Sequence, residues 1–167
     1  MKIYVNGAEL LDHFDEADDP IIVERDRQKS RENVKRWLAR YAELQECEIV
    51  LVWDDIPLDE VLPRGERFGN VEVVNLPYGE EAISEIAGPA NRTAVDERTF
   101  VVSEDPRLMD SLANGRATVF SPGHFVHRVR RSMGKSDEQL AREPDEKFSG
   151  LSEGEVEFWM EFFQEEE

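Results

Sequence analysis

Acidic and amide side chains recur where apolar runs of this sequence end. Asp54-Asp55 follows residues 48–53, Gly79-Glu80-Glu81 follows residues 71–74 after a short turn, Glu104-Asp105 follows residues 98–102, and Asn6 closes residues 2–5. If these runs are neighbouring parallel strands, the four positions meet at the carboxyl edge of one sheet, where such sheets bind ligands. Carboxylate, amide and water oxygens suit Mg²⁺ or Mn²⁺, and an ion held there can stabilise in-line attack on a phosphodiester. The candidate metal ligands are Asp54, Glu81, Glu104 and Asp105, with Asn6 an uncharged oxygen donor beside them, and the chemistry is metal-assisted hydrolysis of nucleic acid. A plainer account stands next to it. In a chain with 38 acids, carboxylates after strands and at helix starts are expected, because Asp and Glu favour turns and complement helix N-termini.

The elements that must position these groups follow from the pattern of apolar residues. Residues 2–5, with β-branched Ile3 and Val5 running into Asn6-Gly7, read as a first strand. Residues 10–29 are polar and broken by Asp18-Asp19-Pro20, which predicts a surface loop or short helix with Ile21-Ile22-Val23 tucked back. Val34, Trp37, Leu38, Tyr41 and Leu44 or Gln45 recur at helical spacing behind Ser30, the expected N-cap. Residues 48–53 form a nearly continuous β-branched and aromatic run suited to a strand buried on both faces. A loop containing Pro57, Pro63, Gly65 and Gly69 leads to a strand at 71–74. Ala82, Ile83, Ile86 and Ala87 then share a helical face that Gly88-Pro89 stops. Residues 98–102 give a fourth strand, Pro106 opens a helix with Leu108, Met109 and Leu112 inward, residues 117–120 give a fifth strand, and Ser121-Pro122 opens another helix. Five strands alternating with helices specify an α/β fold of three layers, a mainly parallel five-stranded sheet flanked by helices. The lone Cys47 reads as a small packing residue, since no His or Cys lies near it at ligand spacing.

Charge is distributed in blocks. The net charge of −18 opposes tight non-specific binding to nucleic acid, most of whose affinity comes from phosphate attraction. Arginine outnumbers lysine 15 to 5, and with the acid excess this also fits a solubility adaptation to a salty environment. Residues 1–110 carry 13 bases against 26 acids, residues 111–136 carry five bases and no acid, and residues 137–167 carry two bases against 12 acids. Within the basic block, residues 123–135 read as a helix whose Phe125, Val126 and Val129 face the core, leaving Arg128, Arg131 and Lys135 along its exposed side. Such a stripe can grip RNA phosphates, or it can pair with the acidic tail. Residues 136–150 read as a polar linker. Behind it a capping box at Ser152-Glu153-Gly154-Glu155 starts an amphipathic helix over 151–167, which docks on the domain or on a partner, or forms a homo-oligomer through Trp159, Phe162 and Phe163. The apolar runs fall far short of the roughly 20 residues that cross a bilayer, and the start has no signal-peptide core, so the expected location is cytoplasmic and away from membranes.

Five segments in order resemble the NYN branch of the PIN-like nucleases, and more narrowly the YacP-like proteins. Tyr4-Val5-Asn6-Gly7-Ala8-Glu9 stands where that family has Asp-Gly-Tyr-Asn, Trp53-Asp54 where it has Phe-Asp, and Ala82-Ile83-Ser84-Glu85-Ile86 where a helix opens with Ala-Asp-Asp. Ser103-Glu104 stands for Ser-Asp, and Ser121-Pro122-Gly123-His124-Phe125 for a Ser-x-x-x-Phe helix start. The resemblance covers residues 1–133 and implies a PIN-like NYN domain over 1–135 with strand order 3-2-1-4-5. It also implies a ribonuclease dependent on Mg or Mn at the rim acids, with RNA or the ribosome as partner. The departures bear on that site. Asn6 replaces the leading aspartate, Ile83-Ser84 the aspartate pair, and Glu104 the aspartate after serine; Asp54 alone matches unaltered. A divalent ion would lose about two of four anchors, and a carboxylate displaced by about 1 Å can cost on the order of a hundredfold in rate. Two readings stay open: an endoribonuclease with a weak or rearranged acidic centre, and an inactive module that keeps the fold and binds RNA, the ribosome or a protein.

Overall fold

The computed structural model describes residues 1–14, 21–23, 25–93, 97–112 and 117–139, with the side chains of 135–139 excepted. Along the chain the elements are β1 (Lys2–Asn6), α1 (Gly7–Leu11), α2 (Arg27–Leu44), β2 (Glu48–Ile56), β3 (Gly65–Phe68), β4 (Val71–Pro77), α3 (Ala82–Asn91), β5 (Thr99–Val102), α4 (Pro106–Ser111), β6 (Ala117–Phe120) and α5 (Pro122–Gln139). One sheet runs in the order β3-β4-β2-β1-β5-β6. Its five expected strands are all parallel and take the expected order, here β4-β2-β1-β5-β6. The sixth, β3, pairs antiparallel with β4 along an edge that was expected to be loop.

The pleat explains why helices cover both faces. Ile3, Val5, Ile49, Leu51, Trp53, Phe100 and Val102 point into one core, with residues of α1, α2 and α5. The alternate residues Tyr4, Val50, Val52 and Val101 point into the other, with residues of α3 and α4. Burial on both faces is what made these strands read as continuous apolar runs. Cys47 is buried in the first core, as expected of a packing residue. Phe125, Val126 and Val129 of α5 are buried there too, whereas Met109, expected inward, is 45% exposed.

Several local expectations are corrected. Asp26, rather than Ser30, caps α2: its carboxylate accepts from the Lys29 N–H at 3.0 Å. Ser30 sits inside the first turn, where its hydroxyl accepts from Val23 N–H at 2.9 Å and so ties residues 21–23 back onto the helix. Ile21 is buried by that tether, as the sequence suggested. Gly88-Pro89 does not end α3, which runs to Asn91; in the last turn a proline removes one hydrogen bond without a helix beyond it to kink. α5 continues past Lys135 to Gln139. The remainder of the expected linker, and the expected helix over 151–167 with Trp159, Phe162 and Phe163, lie outside the described residues. Among the described residues, no helix is long and apolar enough to cross a membrane.

Candidate functional site: the acidic rim

Because the five strands are parallel, their carboxyl ends share one edge of the sheet. Val5 is in register with Val102, so Asn6 ends β1 level with the start of Ser103-Glu104-Asp105. Asp54 lies two positions past Val52, the partner of Asn6 on the other side. Asn6, Asp54, Glu81, Glu104 and Asp105 therefore gather on one rim, as the spacing predicted.

Each rim group is already engaged. Asn6 is 6% exposed and caps α1, its amide oxygen accepting from Glu9 N–H at 3.3 Å. Asp54 accepts from the Ala82 N–H at 3.3 Å, in the first turn of α3. Asp55, next in sequence, turns to the other side of the strand and pairs with Arg27, the Nε donating at 2.8 Å. Asp105 caps α4 through the Arg107 N–H at 2.9 Å. Helix N-termini are electropositive and carry unpaired N–H groups, so carboxylates and amides are stable there without any metal.

Arg107 spans Glu81 and Asp105. Its Nη1 donates to Glu81 at 2.8 Å, while Nε and Nη2 donate to the two oxygens of Asp105 at 3.2 and 2.9 Å. The hydrogen bonds from Arg107 hold the Asp105 carboxyl below the usual carboxylate range. Asp105 first, then Glu81, in turn push the guanidinium further up. Sequence reasoning missed Arg107, and also Glu9, whose carboxylate accepts from Ser103 Oγ at 2.9 Å and from Glu104 N–H at 2.7 Å. Glu9 was legible, since Asn-x-x-Glu at the start of a helix is the pattern of a capping box. It bridges α1 to the loop after β5 and brings a carboxylate to the rim that the Asn6 position lacks. His13 approaches Glu104, with Nε2 3.4 Å from the carboxylate.

One glycine shapes the rim. A Cβ on Gly7 would come within 2.6 Å of Trp53 Cε3, so the Trp53 ring packs directly on the backbone that follows Asn6. With Trp53 1% exposed, that contact fixes the spacing between the ends of β1 and β2 and hence between Asn6 and Asp54.

On the basic side, the expectation for Arg128 fails. It is 4% exposed, with its guanidinium 5.2 Å from the centre of the Phe120 ring. Arg128 lies three residues after Phe125 and so shares its buried face. His127, Arg130 and Arg131 are the exposed side chains of this stretch. Arg131 keeps its expected exposure, and Lys135 follows one helical turn later on α5.

The sequence matches the family model of the YacP-like NYN domain over residues 5–162. The chain belongs to that family. Two crystal structures of Rae1 (YacP) from Bacillus subtilis are similar to this NYN domain. One has a TM-score of 0.68 at 16% identity, covering 99% of this chain and 91% of the other. The second, of a mutant form of the same protein, has a TM-score of 0.66 at 13% identity, covering 84% and 82%. At such identities the likeness is one of fold. No curated protein matches the sequence significantly. NYN domains are in general metal-dependent nucleases, which makes the donor set the point to test. In this NYN domain Glu81 and Asp105 are held by Arg107, and one oxygen of Asp54 is taken by a helix N–H. Among the described residues no three His, Cys, Asp or Glu side chains converge as metal ligands. The rim as arranged does not fit a divalent cation.

Proposed function

We propose that this NYN domain is an RNA-directed protein that binds RNA, free or in the ribosome, along the exposed face of α5, with metal-dependent cleavage weak or absent. The observation that carries this reading is Arg107 lying across Glu81 and Asp105, which places an internal cation on the acidic rim. Arg131 and Lys135 are the residues assigned to phosphate contact, in a stretch of five bases and no acid. Such contacts position a backbone without reading its sequence. A cytoplasmic location accords with this role.

The test pairs calorimetric Mn²⁺ titration with anisotropy of a labelled single-stranded RNA over a range of salt. The expected result is no saturable Mn²⁺ binding, together with RNA binding whose logarithm falls linearly with log salt, by about 0.7 per phosphate neutralised. Absence of RNA binding at low salt would defeat the proposal.

A second reading, an endoribonuclease with a rearranged acidic centre, is favoured by one observation: Asp54, Glu81, Glu104 and Asp105 do share a rim, with Glu9 added to them. It requires saturable Mn²⁺ binding by the wild type and RNA cleavage lost in Glu104→Ala. Binding that appears only in Asn6→Asp would instead mark a nuclease fold that has given up its chemistry.

A further inference from the structure

The most exposed large apolar side chains among the described residues are Val61, Leu58 and Tyr78, at 96%, 79% and 74%. All three lie in the two loops that leave β2 and β4, next to the acidic rim. Ile56 and Pro77 are register partners, and Tyr78 N–H donates to Ile56 O at 2.9 Å, so the loops are joined at their base. A cavity of about 200 Å³ lies between the first of these loops and the end of β4, lined by Ile56, Pro57, Leu58, Leu62 and Pro77 among others. The loops are anchored. Arg31, 6% exposed in its side chain, grips both oxygens of Glu60 from α2, and Arg64 holds Glu80 and Glu85 at 3.0 and 3.2 Å. A pre-ordered surface loses little conformational freedom on binding, which favours affinity.

Charge decides what this surface fits. Residues 54–85 carry nine acids against two arginines, and Arg27, Arg31, Lys35 and Arg107 pair with four of those acids from other elements, which leaves the surface net acidic, with Asp59 between Leu58 and Glu60, and Glu80-Glu81 just after Tyr78. RNA is disfavoured by phosphate repulsion. A second copy would bring the same field, and the chain's own residues 137–167, with 12 acids against two bases, would be repelled as well. An apolar centre within an acidic ring complements a protein face of opposite design, apolar anchors ringed by Lys and Arg. We propose that Leu58, Val61 and Tyr78 form a docking surface for a basic protein partner. No residue of α5 lines the cavity beside these loops, and the proposal stands whether or not α5 binds RNA.

The experiment selects a random dodecapeptide display library on the full-length wild type, with counter-selection on Leu58→Ser/Val61→Ser/Tyr78→Ser. A randomised single-stranded RNA pool is selected in parallel, and circular dichroism checks that the variant is folded. The expected outcome is enrichment of peptides combining aromatic or aliphatic anchors with Lys and Arg. Their affinity should fall about tenfold or more in the triple variant, as for loss of anchoring residues at an interface. Asp59→Lys should weaken the same peptides and flatten their salt dependence. The proposal is overturned if no peptide depends on the three residues, if the enriched peptides lack basic residues, or if it is RNA whose binding the triple variant loses. It is equally overturned if sedimentation shows wild-type self-association that the variant abolishes.

Discussion

Arg107→Ala separates the charge of the rim from its packing. The Arg107 side chain is 64% exposed, so water and salt screen both of its ion pairs, and losing them is expected to lower the urea midpoint only slightly at neutral pH. The sign of the pH dependence follows from Asp105. Arg107 lowers its carboxyl in the folded state, so this interaction stabilises the fold above the unfolded value of about 3.9. It is lost as pH falls through the lowered folded value, when the carboxylate takes up its proton. Wild type and variant should therefore differ most near pH 7 and converge in acid below the unfolded value, and the difference at neutral pH should shrink in about 1 M salt, where screening acts within roughly 3 Å. Urea unfolding followed by circular dichroism at several pH and salt values reads both effects. A gap that stays constant from neutral to acid pH would refute the reasoning and would mean that the aliphatic stem of Arg107, not its charge, supports the rim.

Three further changes probe the groups around it. Gly7→Ala should lower stability by about 1–3 kcal/mol through overpacking against Trp53, seen as a shifted urea midpoint with an unchanged slope; an unshifted midpoint would contradict the 2.6 Å approach. Glu9→Ala should cost about 1–3 kcal/mol by removing the acceptor of Ser103, which is 0% exposed, and amide exchange at Glu104 should quicken, with Glu9→Gln recovering part of both. Arg131→Glu should weaken RNA binding and reduce its salt slope by about one, whereas Arg128→Leu should leave that slope unchanged, because its guanidinium lies inside; equal effects would place the RNA elsewhere.

What the sequence displayed well was whatever burial imposes on both faces of an element. β1, β2 and β5 read as apolar runs because cores lie above and below them, and their order followed from resemblance to a parallel fold. β3 escaped because Gly-Glu-Arg-Phe pairs on one side only and leaves three of its four residues exposed, so no apolar pattern marks it. Arg128 was misplaced for a different reason. Its long side chain can cover Phe120 with an aliphatic stem and a flat guanidinium, so a charged residue on the apolar stripe is no sign of an outward face. The acids that end the strands were legible, yet the arginine that pairs with two of them was not. Arg107 meets Glu81 across 26 positions of sequence, and only the fold brings the two loops together.

Under the proposed function, such a fold dispenses with a metal without losing itself. Every β-strand that runs into a helix delivers N–H donors to the same edge that collects acidic side chains, so one oxygen atom there can serve either a cation or a helix. Asn6, Asp54 and Asp105 each accept an N–H in the first turn of α1, α3 or α4. An amide does this as well as a carboxylate, which makes Asn6 a competent cap and a poor ligand. The charge that an ion would have neutralised at Glu81 and Asp105 is balanced by Arg107, at the small energetic scale of exposed pairs. On that proposal the structural half of each residue's role is kept while the chemical half is released, and one arginine balances the charge of Glu81 and Asp105.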